Sequence, residues 1–359
     1  MFPSPLRAVV PVVAGLALTV SLAACGGTTK DDESSSQPAS TGGAAASADP
    51  NAPYKEGLDI TFVPKQLNNA YFDSMTSGGK EAMSELKGEF KLVGPNESNA
   101  SSQVSYINTL IQQKPAAIAI AANDANAVCP ALNQARQAGI KVVTFDSDAS
   151  PSCRDLFVNQ TTIQGIGETL VKMTKDQIGS GEFAILSATP NATNQNAWIE
   201  AMKVELAKPE NAGLKLVDTV YGNDQDQKSF QETQGLLQAH PNLKAIVAPT
   251  SVGIAAAARY VSTSSYKDKV VVTGLGLPNE MRKYVKDGTV DQMALWDVPA
   301  LGYLAGYAAA SLSSGQITGA EGEKFTAGKL KEYTIGADGE VVLGPPTVFT
   351  AENIDQYQF

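Results

Sequence analysis

From Gly57 onward, two patterns of apolar positions alternate along the chain. Short runs that are apolar on both faces are separated by stretches in which apolar residues recur every three or four positions. LDITFV (58–63) is the first short run, and Phe72, Met75, Gly79, Met83 and Leu86 follow it at helical spacing. Val104, Ile107, Leu110 and Ile111 mark a second helix, then PAAIAIAA (115–122) a strand. Val128, Leu132 and Ala135 mark a third helix, then IKVVTF (140–145) a further strand. The pattern then restarts. Ile163, Ile166, Leu170 and Met173 make a helix face, followed by EFAILS (182–187) and a helix carrying Trp198, Met202 and Leu206. LKLVDTVY (214–221), a helix through Leu236 and Leu237, LKAIVAP (243–249), an Ala-rich helix and KVVVTGLG (269–276) complete the series. Fully apolar strands separated by helices are the mark of parallel α/β sheets. Two runs of about five strands predict an α/β fold of two similar doubly wound parallel-sheet lobes with a ligand cleft between them. The chain's length, 359 residues, also exceeds what one core usually spans.

In open parallel sheets, ligands sit outside the carboxyl ends of the strands. The residues there are Lys65, Asn123, Asp146 with Asp148, Asn194 with Gln195, Asn223 with Asp224, Pro249-Thr250-Ser251 and Trp296-Asp297. Carboxylates accept paired hydrogen bonds from adjacent hydroxyls, amides donate and accept, and aromatic rings cover apolar C–H faces. Tyr71, Phe72 and Trp296 are the aromatic candidates. Such a set suits a polyhydroxylated ligand, although Asp and Asn are also favoured in loops and helix caps for local reasons. Asp146 and Asp148, alternating on an extended segment, are expected to point to opposite sides.

Ahead of the alternating body stands an apolar run from Ala8 to Ala24 behind a single basic residue, Arg7. Its length fits a signal peptide (1–24) better than a membrane span. Residues 25–56 are Gly, Ser, Ala, Pro and acid with almost nothing large and apolar, which predicts a flexible tether.

The formal charge of −10 argues against nucleic-acid binding. Of three cysteines, Cys129 and Cys153 fall in the exported body, where a disulfide is the simplest fate of a pair. A catalytic Cys153 would lack a base, because the one histidine, His240, lies in a helix-end phrase. No P-loop, dinucleotide fingerprint, nucleophile elbow or EF-hand run is present, so no cofactor and no metal is expected.

LAACG (22–26) resembles the bacterial lipobox, which implies lipidation at Cys25 after removal of residues 1–24. The phrases FVPKQLNNAYFDSMTSGGKEA, QVSYINTLIQQKPAAIAIAANDANAVCPALNQARQAGIKVVTFDSD, CRDLFVNQ, TPNATNQNAW, AIVAPTS, PNEMRKYVKDGTV, ALWDV and ENIDQYQF resemble the sugar-binding lipoproteins of bacterial ABC importers. Within that type I periplasmic binding class they are similar to the rhamnose-binding and autoinducer-2-binding branch. The resemblance implies a ligand-binding role for Lys65, Asp146, Gln195 and Pro249, and supports the Cys129–Cys153 pair. Two positions depart from the autoinducer-2 receptor: Asn194 stands where that receptor has an acid, and Ser251 where it has alanine. Both changes favour rhamnose or a similar deoxyhexose, pentose or polyol over the quorum signal, whose receptor is the alternative reading.

The expected ligand set is therefore Lys65, Tyr71, Phe72, Asn123, Asp146, Asn194, Gln195, Pro249, Ser251, Trp296 and Asp297. The expected protein is a monomeric, non-enzymatic receptor in the cell envelope, held to the membrane by lipid alone and presenting its sugar to a permease. The family's three lobe crossings are placed near Asn159, Asp297 and Ala327. This divides the body into a first lobe of 57–158 plus 298–326 and a second of 159–297 plus 327–359.

Overall fold

The computed structural model describes residues 48–359. The expected signal peptide, the expected lipidation position Cys25 and most of the expected tether lie outside the described residues. In chain order the elements are β1 (Asp59–Val63), α1 (Ala70–Glu85), β2 (Glu89–Leu92), α2 (Ala100–Gln113), β3 (Ala117–Ile120), α3 (Cys129–Gln137), β4 (Lys141–Phe145) and β5 (Leu156–Asn159). Next come α4 (Ile163–Ile178), β6 (Gly181–Ser187), α5 (Thr193–Leu206), β7 (Leu214–Tyr221), α6 (Asp226–Ala239), β8 (Leu243–Ala248), α7 (Ser251–Ser262), β9 (Val271–Gly274) and α8 (Pro278–Lys286). The last are β10 (Met293–Leu295), α9 (Val298–Ser314), β11 (Lys324–Thr326), β12 (Glu332–Thr334), β13 (Glu340–Val342) and β14 (Thr347–Phe349).

One parallel sheet has the order β13-β5-β4-β3-β1-β2 and a second has β7-β6-β8-β9. The second is continued by a bridge from Leu275 to Ala294 and by the antiparallel pair of β10 and β14. Their central strands are apolar on both faces because helices cover both. Ile118, Ile120, Val143, Phe145, Ile185, Ile246 and Val247 are all fully buried.

The chain leaves the first sheet after β5, returns after β10, and reaches the second again between β13 and β14. Here the expected grouping of residues 327–359 with the second lobe needs correcting. Glu340–Val342 pair in parallel with Phe157–Asn159, on the edge of the first sheet. Three residues carry too little pattern to read as a strand, and Val341 is buried only because β5 stands beside it.

The start of the folded body also moves. Asp49–Glu56, expected to belong to the tether, lie against the end of α9. The Asp49 amide donates to the Gly315 carbonyl at 3.0 Å, and the Lys55 amide to Ser314 Oγ at 3.0 Å. Tyr54 sets its ring edge-on to Tyr307 with centroids 5.7 Å apart, and its hydroxyl donates to the Thr326 carbonyl. One aromatic side chain and backbone hydrogen bonds anchor a segment whose composition is otherwise that of a linker.

Helix α9 is buried along nearly its whole length and crosses α1 at glycines. A Cβ on Gly302 would lie 1.8 Å from the Met75 carbonyl oxygen, and one on Gly78 1.8 Å from that of Pro299. Backbone cannot yield as a side-chain tip can, so Gly302→Ala is expected to destabilise by about 3 kcal/mol. A ligand-free thermal melt checks this, and a melting temperature within 2 °C of the parent, roughly the effect of 1 kcal/mol in a chain this size, would contradict the packing.

Candidate functional site

The carboxyl ends of the two sheets face each other, and the side chains that follow the strands converge there on a small cavity of about 40 Å³.

From the first sheet, Lys65 follows β1 and Asp146 follows β4. Asp146 has a left-handed backbone (φ 58°), a conformation Asp tolerates better than most residues, which turns its carboxylate in toward the cavity. Tyr71 Oη donates to Asp146 Oδ1 at 2.9 Å, and Trp296 Nε1 donates to Tyr71 Oη at 3.0 Å. Lys65 Nζ lies 3.8 Å from Asp146 Oδ2 and donates across the cleft to Asn194 Oδ1 at 2.9 Å. Helix α1 opens at this mouth because Asn69 caps it, accepting from the amides of Tyr71 and Phe72.

From the second sheet, α5 begins with Asn194 and Gln195. Gln195 Oε1 accepts from Ser187 Oγ and from the Ala188 amide, both at 2.8 Å. That pins the side chain to the end of β6 and leaves its NH₂ group as the donor toward the cavity. Asp224, also left-handed (φ 51°), accepts from Thr250 Oγ1, and its carbonyl accepts from Gln66 Nε2 of the opposite side at 3.3 Å. Phe72, Tyr71, Trp296 and Trp198 form a connected aromatic wall with neighbouring centroids 5.2–6.1 Å apart.

Electrostatically the cavity holds two carboxylates and one ammonium. Burial pushes Asp146 above the usual carboxylate range, opposed by the Lys65 charge and the Tyr71 hydroxyl and reinforced by Asp224. Burial likewise raises Asp224, opposed by the Thr250 hydroxyl and by Lys65. Tyr71 is raised well above the usual phenol value by burial and then by Asp146, so it stays a neutral donor. The arrangement offers strong acceptors, one cation, amide donors and an aromatic face, a set that can replace the hydration of a compact polyol.

Nine of the expected residues line the cavity: Lys65, Tyr71, Phe72, Asp146, Asn194, Gln195, Pro249, Ser251 and Trp296. Two do not. Asn123 sits behind Lys65, its Nδ2 donating to the Lys65 carbonyl at 2.9 Å, so it holds the backbone of that residue. Asp297 is exposed and caps α9, accepting from the Ala300 amide at 2.9 Å. Sequence reasoning did not select Asn69, Trp198, Asp224, Thr250, Leu275 or Leu295, which also line it. For Asp224 and Thr250 the signal was their position after a strand; Trp198 was visible only as part of a helix core.

Cys129 and Cys153 are joined in a disulfide. Asp148 is not part of the ligand cavity's lining. It pairs with Arg154 through Nε–Oδ1 at 2.6 Å and Nη2–Oδ2 at 2.7 Å, while Thr144 Oγ1 also donates to it. Arg154, for which the sequence suggested no role, is buried and further donates to the Asp338 carbonyl at 2.6 Å. His240 lies 3.2 Å from Asp218, away from the cavity.

The periplasmic binding protein domain family matches residues 60–317. The D-ribose/D-allose-binding protein of Pseudomonas aeruginosa is 30% identical over 66% of this chain and 77% of its own length. A sugar ABC transporter structure from Actinomyces odontolyticus is 58% identical, covering 84% of this chain and 98% of its own, with a TM-score of 0.69. An ABC transporter solute-binding protein from Clostridium phytofermentas with bound L-rhamnose is 38% identical over 84% of this chain and 99% of its own, with a TM-score of 0.81. LsrB from Clostridium saccharobutylicum in complex with AI-2 is 27% identical over the same shares, with a TM-score of 0.80. The chain belongs to the periplasmic binding protein family, as a sugar-binding, substrate-binding protein of an ABC transporter.

Proposed function

We propose that this protein captures a small sugar, with L-rhamnose or a similar deoxyhexose, pentose or polyol as its ligand, and delivers it unchanged to a membrane permease. The observation that carries this reading is the convergence of Asp146 and Lys65 from one sheet with Asn194 and Gln195 from the other, against an aromatic wall. Groups from both sheets on one ligand make closure and binding the same event, so sugar shifts the balance toward the closed form that a permease reads. In this reading the protein acts as a monomer outside the cytoplasmic membrane, anchored by lipid at Cys25. Its lobes turn about the three segments that follow β5, β10 and β13.

Asn194 and Ser251 argue against the autoinducer-2 alternative. A buried ligand hydroxyl left without its partner costs about 1–3 kcal/mol, and the acid and alanine of that receptor class are replaced here by an amide and a hydroxyl. Thermal-shift and calorimetric titration with L-rhamnose, ribose, allose, arabinose, polyols and autoinducer-2 test the assignment. A deoxyhexose or pentose is expected to bind with one-to-one stoichiometry and to be recovered unmodified. Stabilisation by autoinducer-2 alone, or turnover of any sugar, would overturn it.

A further inference from the structure

A second cavity of about 460 Å³ opens beside the ligand cavity, and the two share Asp146, Asn194 and Trp198 as a common wall. That wall is thin. Across it Asn194 Nδ2 reaches the carbonyl and Oδ2 of Asp146, both at the long distance of 3.4 Å, and Lys65 Nζ holds the same Asn194 through Oδ1 at 2.9 Å. Beyond it the groove changes character. Ala149, Pro151 and Phe157 on the first-sheet side face Ile163 and Ala197 on the second-sheet side. Ile163 opens α4 with 45% of its surface exposed.

The groove's own interior charges already have hydrogen-bond partners. Asp148 and Arg154 form a bidentate pair, with the guanidinium 5.6 Å over the Phe157 ring, and Glu340 accepts from Asn159 Nδ2 at 2.7 Å. Asp338, at the far rim, is exposed to solvent. No buried charge there calls for a charged partner, whereas the apolar walls favour an apolar one. Because those walls follow both sheets, an occupant continuous with the sugar would be gripped by the same closure.

We propose that the site accepts sugars carrying an apolar substituent, in chemical terms glycosides whose aglycone passes between Asp146 and Asn194 and lies in the groove between Phe157 and Ile163. The inference rests on the sugar-binding reading above and extends its ligand class from free monosaccharides to substituted ones. Passage displaces the two long Asn194 contacts and disturbs the Lys65–Asn194 bond beside them, a loss opposed as the substituent leaves water for an apolar surface.

Isothermal titration of the purified protein with L-rhamnose, its methyl glycosides and its p-nitrophenyl glycosides, in both anomers, tests this. One p-nitrophenyl anomer is expected to bind within tenfold of the free sugar, or more tightly. Ile163→Asp, at an exposed helix start where an acid is tolerated, is expected to weaken that glycoside at least fivefold and the free sugar by less than twofold. Ala197→Phe, which fills the groove from the same second-sheet side, is expected to show the same selectivity. Both aryl anomers binding more than 100-fold more weakly than the free sugar would overturn the inference and leave the sugar-binding reading intact. So would an aryl glycoside indifferent to both variants. Silence of L-rhamnose and of every other free sugar in the broader panel would instead overturn the reading on which it rests.

Discussion

Asp146→Ala is expected to abolish ligand-induced thermal stabilisation and to lower sugar affinity more than 100-fold, while the ligand-free protein still folds. The carboxylate is the strongest acceptor in the cavity and already organises two neighbours, Tyr71 Oη at 2.9 Å and Lys65 Nζ at 3.8 Å. Hydrogen bonds to a charged group are worth about 1.5–3 kcal/mol each, and 1.4 kcal/mol is a factor of ten, so two lost ligand bonds suffice for the predicted loss. Folding tolerates the change because burial raises the Asp146 carboxyl above its usual range, which means that the charged form is held there at a cost. The backbone supplies a control. With φ at 58°, alanine is strained at this position and glycine is not. Asp146→Gly should therefore melt higher than Asp146→Ala yet bind sugar equally poorly. If glycine restored binding, the loss would belong to the backbone and the carboxylate would have no place in recognition.

How far the sequence could be read follows from what each feature depends on. The strands and helices were legible because burial on both faces, or on one helical stripe, is written in local periodicity. PAAIAIAA holds β3 and Phe72, Met75 and Met83 lie buried on α1. Features that depend on a distant partner were not. The docking of Tyr54 needs Tyr307, and β13 needs β5; neither partner is within reach of a sequence window. The strand-end rule placed the site well, but it could not rank residues within a strand end. It put Asp297 beside Trp296, whereas the helix cap of α9 consumes the aspartate. It also marked Asn223 and Asp224 together without a reason to prefer the acid, which only the Thr250 hydroxyl and the nearby Lys65 supply. Alternation separated Asp146 from Asp148 in role, although the segment is no extended strand. The left-handed turn at Asp146 aims one acid at the cavity, and Arg154 claims the other.

Lys65→Met is expected to weaken sugar binding at pH 7.5 by 100- to 1,000-fold and, unlike Asp146→Ala, to recover in part on acidification. Among the described residues Lys65 is the one cation lining the cavity, and its charge acts on an acid from each sheet. Methionine keeps the length and apolar stem but leaves Asp146 and Asp224 uncompensated. Removing one partner of a buried ion pair costs roughly 3–5 kcal/mol, and partial exposure of Asp224 places the effect at the lower end. The sign of the pH effect follows from the direction of the shifts. Burial already raises both carboxyls, and Lys65 opposes the rise in both, so its loss raises them further. A carboxyl whose value is higher in the closed form than in the open one takes up protons on closure throughout the window between the two values. Closure is therefore favoured as pH falls through that window from above and disfavoured as it rises. In the variant, affinity should increase at least tenfold between pH 7.5 and pH 5.0, by titration calorimetry at matched ionic strength. A flat profile would mean that the two acids do not meet across the cleft, and would remove Lys65 as the charge that lets the two sheets close on one ligand.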